Sequence, residues 1–193
     1  MNQTKKERHH KTAYPKAQFL TKLYNQFINL FWTGISFFPV LLFWINNGTD
    51  SALYIFLTTS FIITAIPEKL LKKLQVTQNQ KVYERLGVKT IRKFVQDGDW
   101  SKNTKGSNKS GKIKNRTDAY SYMKTIAMYE HYHWCCFLFF LQTTVYGSSS
   151  ESWVWLASMS VANILYNVCP ILLQQYNKLR MQNVISRMKQ TGG

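Results

Sequence analysis

The sequence predicts an all-α integral membrane protein of about four transmembrane helices, with a cytoplasmic loop that carries amphipathic helices. Three observations predict it. Apolar residues gather in four windows, charges lie almost entirely outside those windows, and the connectors within each pair of windows suit tight antiparallel hairpins. The averages hide this pattern. A composition of 45% hydrophobic residues and a mean hydropathy of −0.25 would equally describe a wet, basic globular domain.

Crossing the hydrocarbon core takes roughly 20 mostly apolar residues. The first window, Phe27 to Ile45, reads FINLFWTGISFFPVLLFWI and carries no charge. The second, Ser51 to Ile66, is short and uncharged, and Pro67 and Glu68 close it. A third runs from about Ile126 to Gly147 and a fourth from about Trp153 to Leu173. NNGTD joins the first pair and SSSE the second. The expected organisation is a basic segment (1–26), a transmembrane hairpin (27–66), a basic loop (67–125), a second hairpin (126–173) and a tail (174–193). The apolar stretch after the first segment is too long for a signal-peptide core, and no small-residue cleavage pattern follows it. It therefore reads as a retained anchor.

Charge orients the map. Of the 25 Lys and Arg residues, six precede the first window, fifteen lie between Glu68 and Lys124, and four follow the last window. Neither short connector holds any, so the positive-inside rule places both termini and the central loop in the cytoplasm of a multi-pass cell-membrane protein. Trp32, Trp44, Trp134 and Trp153 lie near window ends, as an aromatic belt would.

A net charge of +16 is the usual first sign of nucleic-acid binding. Here the cations flank membrane spans, where attraction to anionic lipid headgroups is worth about 1 kcal/mol per residue. Nucleic acid is therefore not an expected partner, and anionic headgroups are. Cys135, Cys136 and Cys169 fall inside predicted spans, odd in number and without metal spacing, and read as reduced packing residues. No metal or cofactor is expected. The chain lacks a G-x-S-x-G elbow, a P-loop and a dinucleotide glycine pattern. An enzyme of this layout works at the membrane surface on a lipidic substrate.

The central loop has two parts. EKLLKKLQV places Leu70, Leu71 and Leu74 on one helical face, and VYERLGVKTIRKFV sets Val88, Ile91 and Val95 at i, i+3 and i+7. Such helices lie in the headgroup plane or pack against the cytoplasmic end of the bundle, and the two are compatible. From Asp97 to Asp118 the chain turns rich in Gly, Ser, Asn and Lys and reads as mobile.

Polar groups inside spans are costly and usually serve a purpose. Glu130 and His133, three apart in MYEHYHW, share a helical face, whereas His131 and His133 point in nearly opposite directions. Counting from Lys124, Glu130 lies roughly 9 Å and His133 roughly 13 Å into the span, where a lipid headgroup meets its chains. Asn163 and Asn167 of the fourth window and Gln174 just beyond it share a face, and Asn167, about eleven residues before Lys178, is expected level with Glu130 and His133. One polar cluster of Glu130, His133, Asn163 and Asn167 is expected if these spans pack as neighbours. Interhelical hydrogen bonding accounts for such a cluster at about 0.6 kcal/mol per bond. A general base accounts for it too, since a carboxylate orients a histidine and raises its basicity.

Taken in order, YERLGV (Tyr83 to Val88), E-x-x-H-W (Glu130 to Trp134), N-x-C-P (Asn167 to Pro170) and QQYNKLR (Gln174 to Arg180) resemble the glycosyl-4,4'-diaponeurosporenoate acyltransferases. These are small bacterial membrane proteins of carotenoid biosynthesis. The family's last motif reads Q-R-Y-N-R-x-R, so Gln175 and Lys178 here stand where the family has arginine. The resemblance implies a membrane acyltransferase that moves a fatty acyl group from an activated donor to a sugar hydroxyl of a glycosylated C30 carotenoid. On that reading His133 is the base, Glu130 orients it, and Asn167 holds substrate or the developing oxyanion. Asn163, Gln174, Tyr176 and Asn177 complete the substrate-binding set. Arg180, Lys178 and Arg85 hold donor phosphates or anionic lipid. Two other classes stay open: a lipid-modifying enzyme with another glycolipid or polyprenyl acceptor, and a non-enzymatic membrane scaffold whose polar cluster only packs helices.

Overall fold

A computed structural model describes residues 3–94, 115–149 and 152–190. All regular structure among them is helical. The element α1 (Gln3–Asn47) runs 45 residues, about 67 Å at 1.5 Å per residue. Gly48, at φ 81°, ends the run, and the Asp50 carboxylate caps α2 (Ser51–Ile62) by accepting from the Ala52 N–H at 2.9 Å. The Tyr146 hydroxyl donates to the other Asp50 oxygen at 2.6 Å and tethers the connector. That bond holds the Asp50 carboxyl below its ordinary value.

A 3-10 turn (Ile63–Ala65) extends α2 to Pro67, where the chain bends by 98° into α3 (Glu68–Leu71) and a second 3-10 turn (Lys72–Leu74). Proline forces the bend: it pushes Ile66 into extended backbone (φ −69°, ψ 126°) and cannot continue the hydrogen-bond ladder. Next come α4 (Gln80–Arg85), capped by Asn79, and α5 (Val88–Phe94). Then α6 (Arg116–Gly147), capped by Asn115, precedes α7 (Trp153–Asn163). A π-helical segment (Ile164–Val168) joins α7 to α8 (Cys169–Gln190). Pro170 accounts for the widening, since it has no N–H to return to the Tyr166 carbonyl four residues back.

Two helical stretches are long and apolar enough to cross a membrane: Gln26–Asn47, and Trp153–Gln190 taken as one. The bent pair of α2 and α3 makes a third if counted as a single span. The helix α6, which covers the expected third window, falls outside that set because Glu130, two histidines and Gln142 interrupt its apolar run. Phe27, Leu30, Ile35 and Phe38 are exposed along α1.

Three apolar clusters hold the helices together. Val40, Phe43 and Trp44 of α1 pack on Phe140, Met159 and Ala162. Trp44 is thus a core residue, its indole donating to Thr143 at 3.3 Å, and not part of an aromatic belt. Tyr83 and Val88 pack on Leu173, Tyr176 and Leu179 of α8. Ala119 and Ile126 pack on Met181 and Ile185.

The central loop departs from its sequence reading in three places. VYERLGVKTIRKFV is two helices and not one, broken at Gly87, whose φ of 81° suits glycine. Val88 is buried and Ile91 half-buried against α8, so this segment packs on the bundle; Val95 lies outside the described residues. Of the three leucines placed on one face, only Leu71 is buried, while Leu70 and Leu74 are about half exposed. The expected mobile stretch from Asp97 lies outside the described residues as far as residue 114. Its last four residues, Asn115 to Asp118, are the capped start of α6.

Candidate functional site

The residues singled out in the sequence do not form one cluster; they divide into two, both on α6 and on the helix made by α7, the π segment and α8. The first centres on Glu130, which is 2% exposed. Its Oε2 accepts from Lys178 Nζ at 2.6 Å and its Oε1 from Gln175 Nε2 at 3.2 Å. Gln175 is a hub. Its Oε1 accepts from the Tyr83 hydroxyl at 2.9 Å and the Val76 N–H at 3.2 Å, and its Nε2 reaches the Leu74 carbonyl at 3.4 Å. Burial pushes the Tyr83 hydroxyl above its ordinary value. A buried ion pair repays its desolvation only with the help of further hydrogen bonds, and Gln175 supplies one to Glu130 Oε1.

This arrangement changes two expected roles. Both Glu130 oxygens are engaged by α8, so Glu130 is not the partner that orients His133. Lys178 is buried against Glu130 and does not face lipid or a donor phosphate at the surface. Gln175 takes the inward position expected for Gln174, which is only half-buried. The cause is the π segment, whose extra residue per turn rotates everything beyond it.

The second cluster surrounds His133. Asn167, fully buried, donates from Nδ2 to Asn163 Oδ1 at 2.9 Å, and Asn163 donates to the Phe137 carbonyl at 3.3 Å. The His133 ring faces the Asn167 side chain and the Tyr166 carbonyl, and packs edge-on against the rings of Tyr132 and Tyr166. His133 Nδ1 and Asn167 Oδ1 are both buried without a hydrogen-bond partner. Around them runs a chain of hydroxyls, Tyr132 to Tyr166 at 2.9 Å and Tyr166 to Thr33 at 2.9 Å. Sequence spacing gave no signal for these partners, since Thr33 and Tyr166 are 133 residues apart.

The remaining expected residues lie near the middle of α8 and on α4. Tyr176 is buried and donates to Glu84 at 3.1 Å; Glu84 also pairs with Lys89 at 2.7 Å. The Lys89 ammonium, with the Tyr176 hydroxyl, holds the Glu84 carboxyl below its ordinary value. Arg180 is exposed and lies 5.7 Å from the Tyr176 ring centre. Arg85 is exposed and Asn177 half-buried. His131, set aside in the sequence reading, sits with Nδ1 2.7 Å from the Ala127 carbonyl and Nε2 2.9 Å from the Ile66 carbonyl, so its ring lies between α6 and the proline bend. The three cysteines are free thiols, and among the described residues no group of His, Cys, Asp and Glu is arranged to hold a metal ion.

Residues 67–187 match a family model described as glycosyl-4,4'-diaponeurosporenoate acyltransferase. No curated protein and no solved structure matches the chain. The matched region contains both polar clusters apart from Thr33, and leaves α1 and α2 outside.

Proposed function

The chain belongs to the glycosyl-4,4'-diaponeurosporenoate acyltransferase family and is an acyltransferase, and we propose that it acylates a sugar hydroxyl of a glycosylated C30 carotenoid. The observation that carries this reading is the family match, which spans the helices bearing every buried polar side chain of the His133 and Glu130 clusters. The acyl donor is an activated fatty acyl group such as a thioester.

The chemistry assigned to the site is a single displacement. The sugar hydroxyl oxygen attacks the acyl carbonyl carbon while its proton passes to His133 Nδ1. The bond from that carbon to the leaving group then breaks, and the leaving group takes the proton back from the imidazolium. Support comes from the buried His133 Nδ1, which no hydrogen bond within the fold occupies. Asn167 gives one of its two Nδ2 hydrogens to Asn163, and its Oδ1 is left without a partner. An oxygen accepts from a sugar hydroxyl and would repel an oxyanion, so of its two expected roles we keep substrate holding. Glu130 becomes a positioning residue that fixes α6 against α8 through Lys178 and Gln175. Tyr176, Arg180, Arg85, Asn163, Gln174 and Asn177 stay in the proposed substrate-facing set.

We also keep the topology of four spans with cytoplasmic termini, which the placement of all 25 cations at three sites supports. In that arrangement α6 crosses the bilayer with its buried polar face turned to α8 and its apolar rings to lipid.

The test is a mass spectrum of lipid extracts from cells that make the glycosylated C30 carotenoid, with and without this protein. A species heavier by one fatty acyl group supports the reading. Its absence, with the protein intact in the membrane, moves the acceptor to another glycolipid or the chain to a scaffold role.

A further inference from the structure

On the side of α6 away from Glu130 there is a groove of about 650 Å³ between α2 and α6, with Phe37 of α1 at its inner end. Small-molecule sites commonly measure ~300–1,000 Å³. Its lining on α6 steps from Lys124 through Met128, His131 and Cys135 to Phe139, one helical face about 22 Å long at 1.5 Å per residue. That is the length of an extended long-chain fatty acyl group.

The groove is polarised along its length. At one end stand Lys124, Glu68, Thr64 and the His131 ring; at the other Leu57, Phe37 and Phe139, with Ser60 beside them held by Gln142. The polar end is where the proline bend turns α3 away from α2 by 98°, and His131 Nε2 lies 2.9 Å from the Ile66 carbonyl at that bend. An amphiphile with one apolar tail and one polar head matches this gradient. Tyr132 connects the groove to the polar cluster, lining it while its ring packs 5.1 Å from that of His133. The α2 wall lies outside the region matched by the family model, and the α6 wall lies within it.

We infer that this groove binds the fatty acyl chain of the donor, head toward Lys124 and Glu68, tail toward Phe37, Leu57 and Phe139, and that these three side chains set acyl-chain length. The inference rests on the acyltransferase reading above for the identity of the occupant.

The experiment uses the full chain in phosphatidylglycerol nanodiscs with palmitic acid analogues that carry a diazirine near the methyl end or near the carboxyl end. The methyl-end probe is expected to label Leu57 and Phe139, the carboxyl-end probe Thr64 and Met128, and excess palmitate to reduce both about tenfold or more. Labelling spread over exposed Phe27, Leu30 and Phe38, and not competed, would overturn the inference and leave the groove as a lipid-filled surface. A second readout is Leu57→Trp in pigment-producing cells. Discrimination of a methylene in an apolar pocket is worth ~10–200-fold, so the palmitoyl product should fall about tenfold or more against the lauroyl product. An unchanged product profile at normal abundance counts against the groove; if Leu57→Trp accumulates poorly, the probes on the unaltered chain decide. Ordered labelling with no acylated carotenoid in any strain keeps the groove and removes the carotenoid acceptor. Acylated carotenoid with scattered labelling does the reverse.

Discussion

Lys178 Nζ lies 2.6 Å from Glu130 Oε2, and both side chains are buried where α8 crosses α6. Removing one member of such a pair leaves the other charged and unpartnered in a poor solvent for it. We predict that Glu130→Gln lowers stability by about 3–5 kcal/mol. Glu130→Gln combined with Lys178→Met should recover most of that loss. Thermal unfolding of the purified protein in detergent checks both, and an additive double variant would count against a coupled pair.

His133→Ala should cut acyl transfer about 10²–10⁴-fold, the usual worth of a general base. Membrane abundance should hold, because the ring is only half-buried and its Nδ1 bonds to nothing in the fold. Activity per mole of protein is the measurement. Full activity from the variant would remove His133 from the reaction.

Asn167→Leu should raise KM for the acceptor and leave KM for the acyl donor unchanged, since the Asn167 oxygen is assigned to the sugar. It should also cost about 1–3 kcal/mol of stability through the unpaired Asn163 oxygen. Steady-state kinetics with each substrate varied in turn would separate this from a purely structural role, which would move kcat alone.

Glu84 carries the pH prediction. Its carboxyl sits below the ordinary value of 4.5 because Lys89 and Tyr176 stabilise the charged form. A depressed folded pKa means the contribution is present above about pH 4.5 and lost as pH falls through the folded value. The difference in Tm between the protein and Glu84→Gln should therefore be constant at neutral pH and shrink below 4.5. A difference that grows on acidification would refute the assignment.

How much of this was legible in the sequence follows from the range of each interaction. Local signals read well. The short connectors and Pro67 as a terminator mark helix ends, because each acts through its own neighbours, whereas α1 runs unbroken across Phe27. The buried polar faces of α6 and of the long helix opposite were also visible, since Glu130, Asn163 and Asn167 stand out against apolar surroundings. What failed was the pairing. Glu130 was matched to His133 by helical spacing, yet its partners come from 45 and 48 residues away, and no local pattern encodes that. Gln174 was placed inward by a regular helical repeat that the π segment does not keep. The groove was invisible because Leu57, Met128 and Phe139 look like ordinary lipid-facing residues until two helices stand side by side.

The π segment links the two clusters in a way that concerns their phase. Asn167 lies within it, and Gln175 and Lys178 lie beyond it on one rigid helix. Deleting Leu165 alone would return the helix to its regular repeat and rotate α8 by about 100° relative to Asn163. Gln175 and Lys178 would then swing away from Glu130 while the groove face of α6 stayed in place. One surplus residue therefore acts as a spacer that keeps two otherwise unconnected constellations in register, and its loss would separate them without altering a single side chain of either.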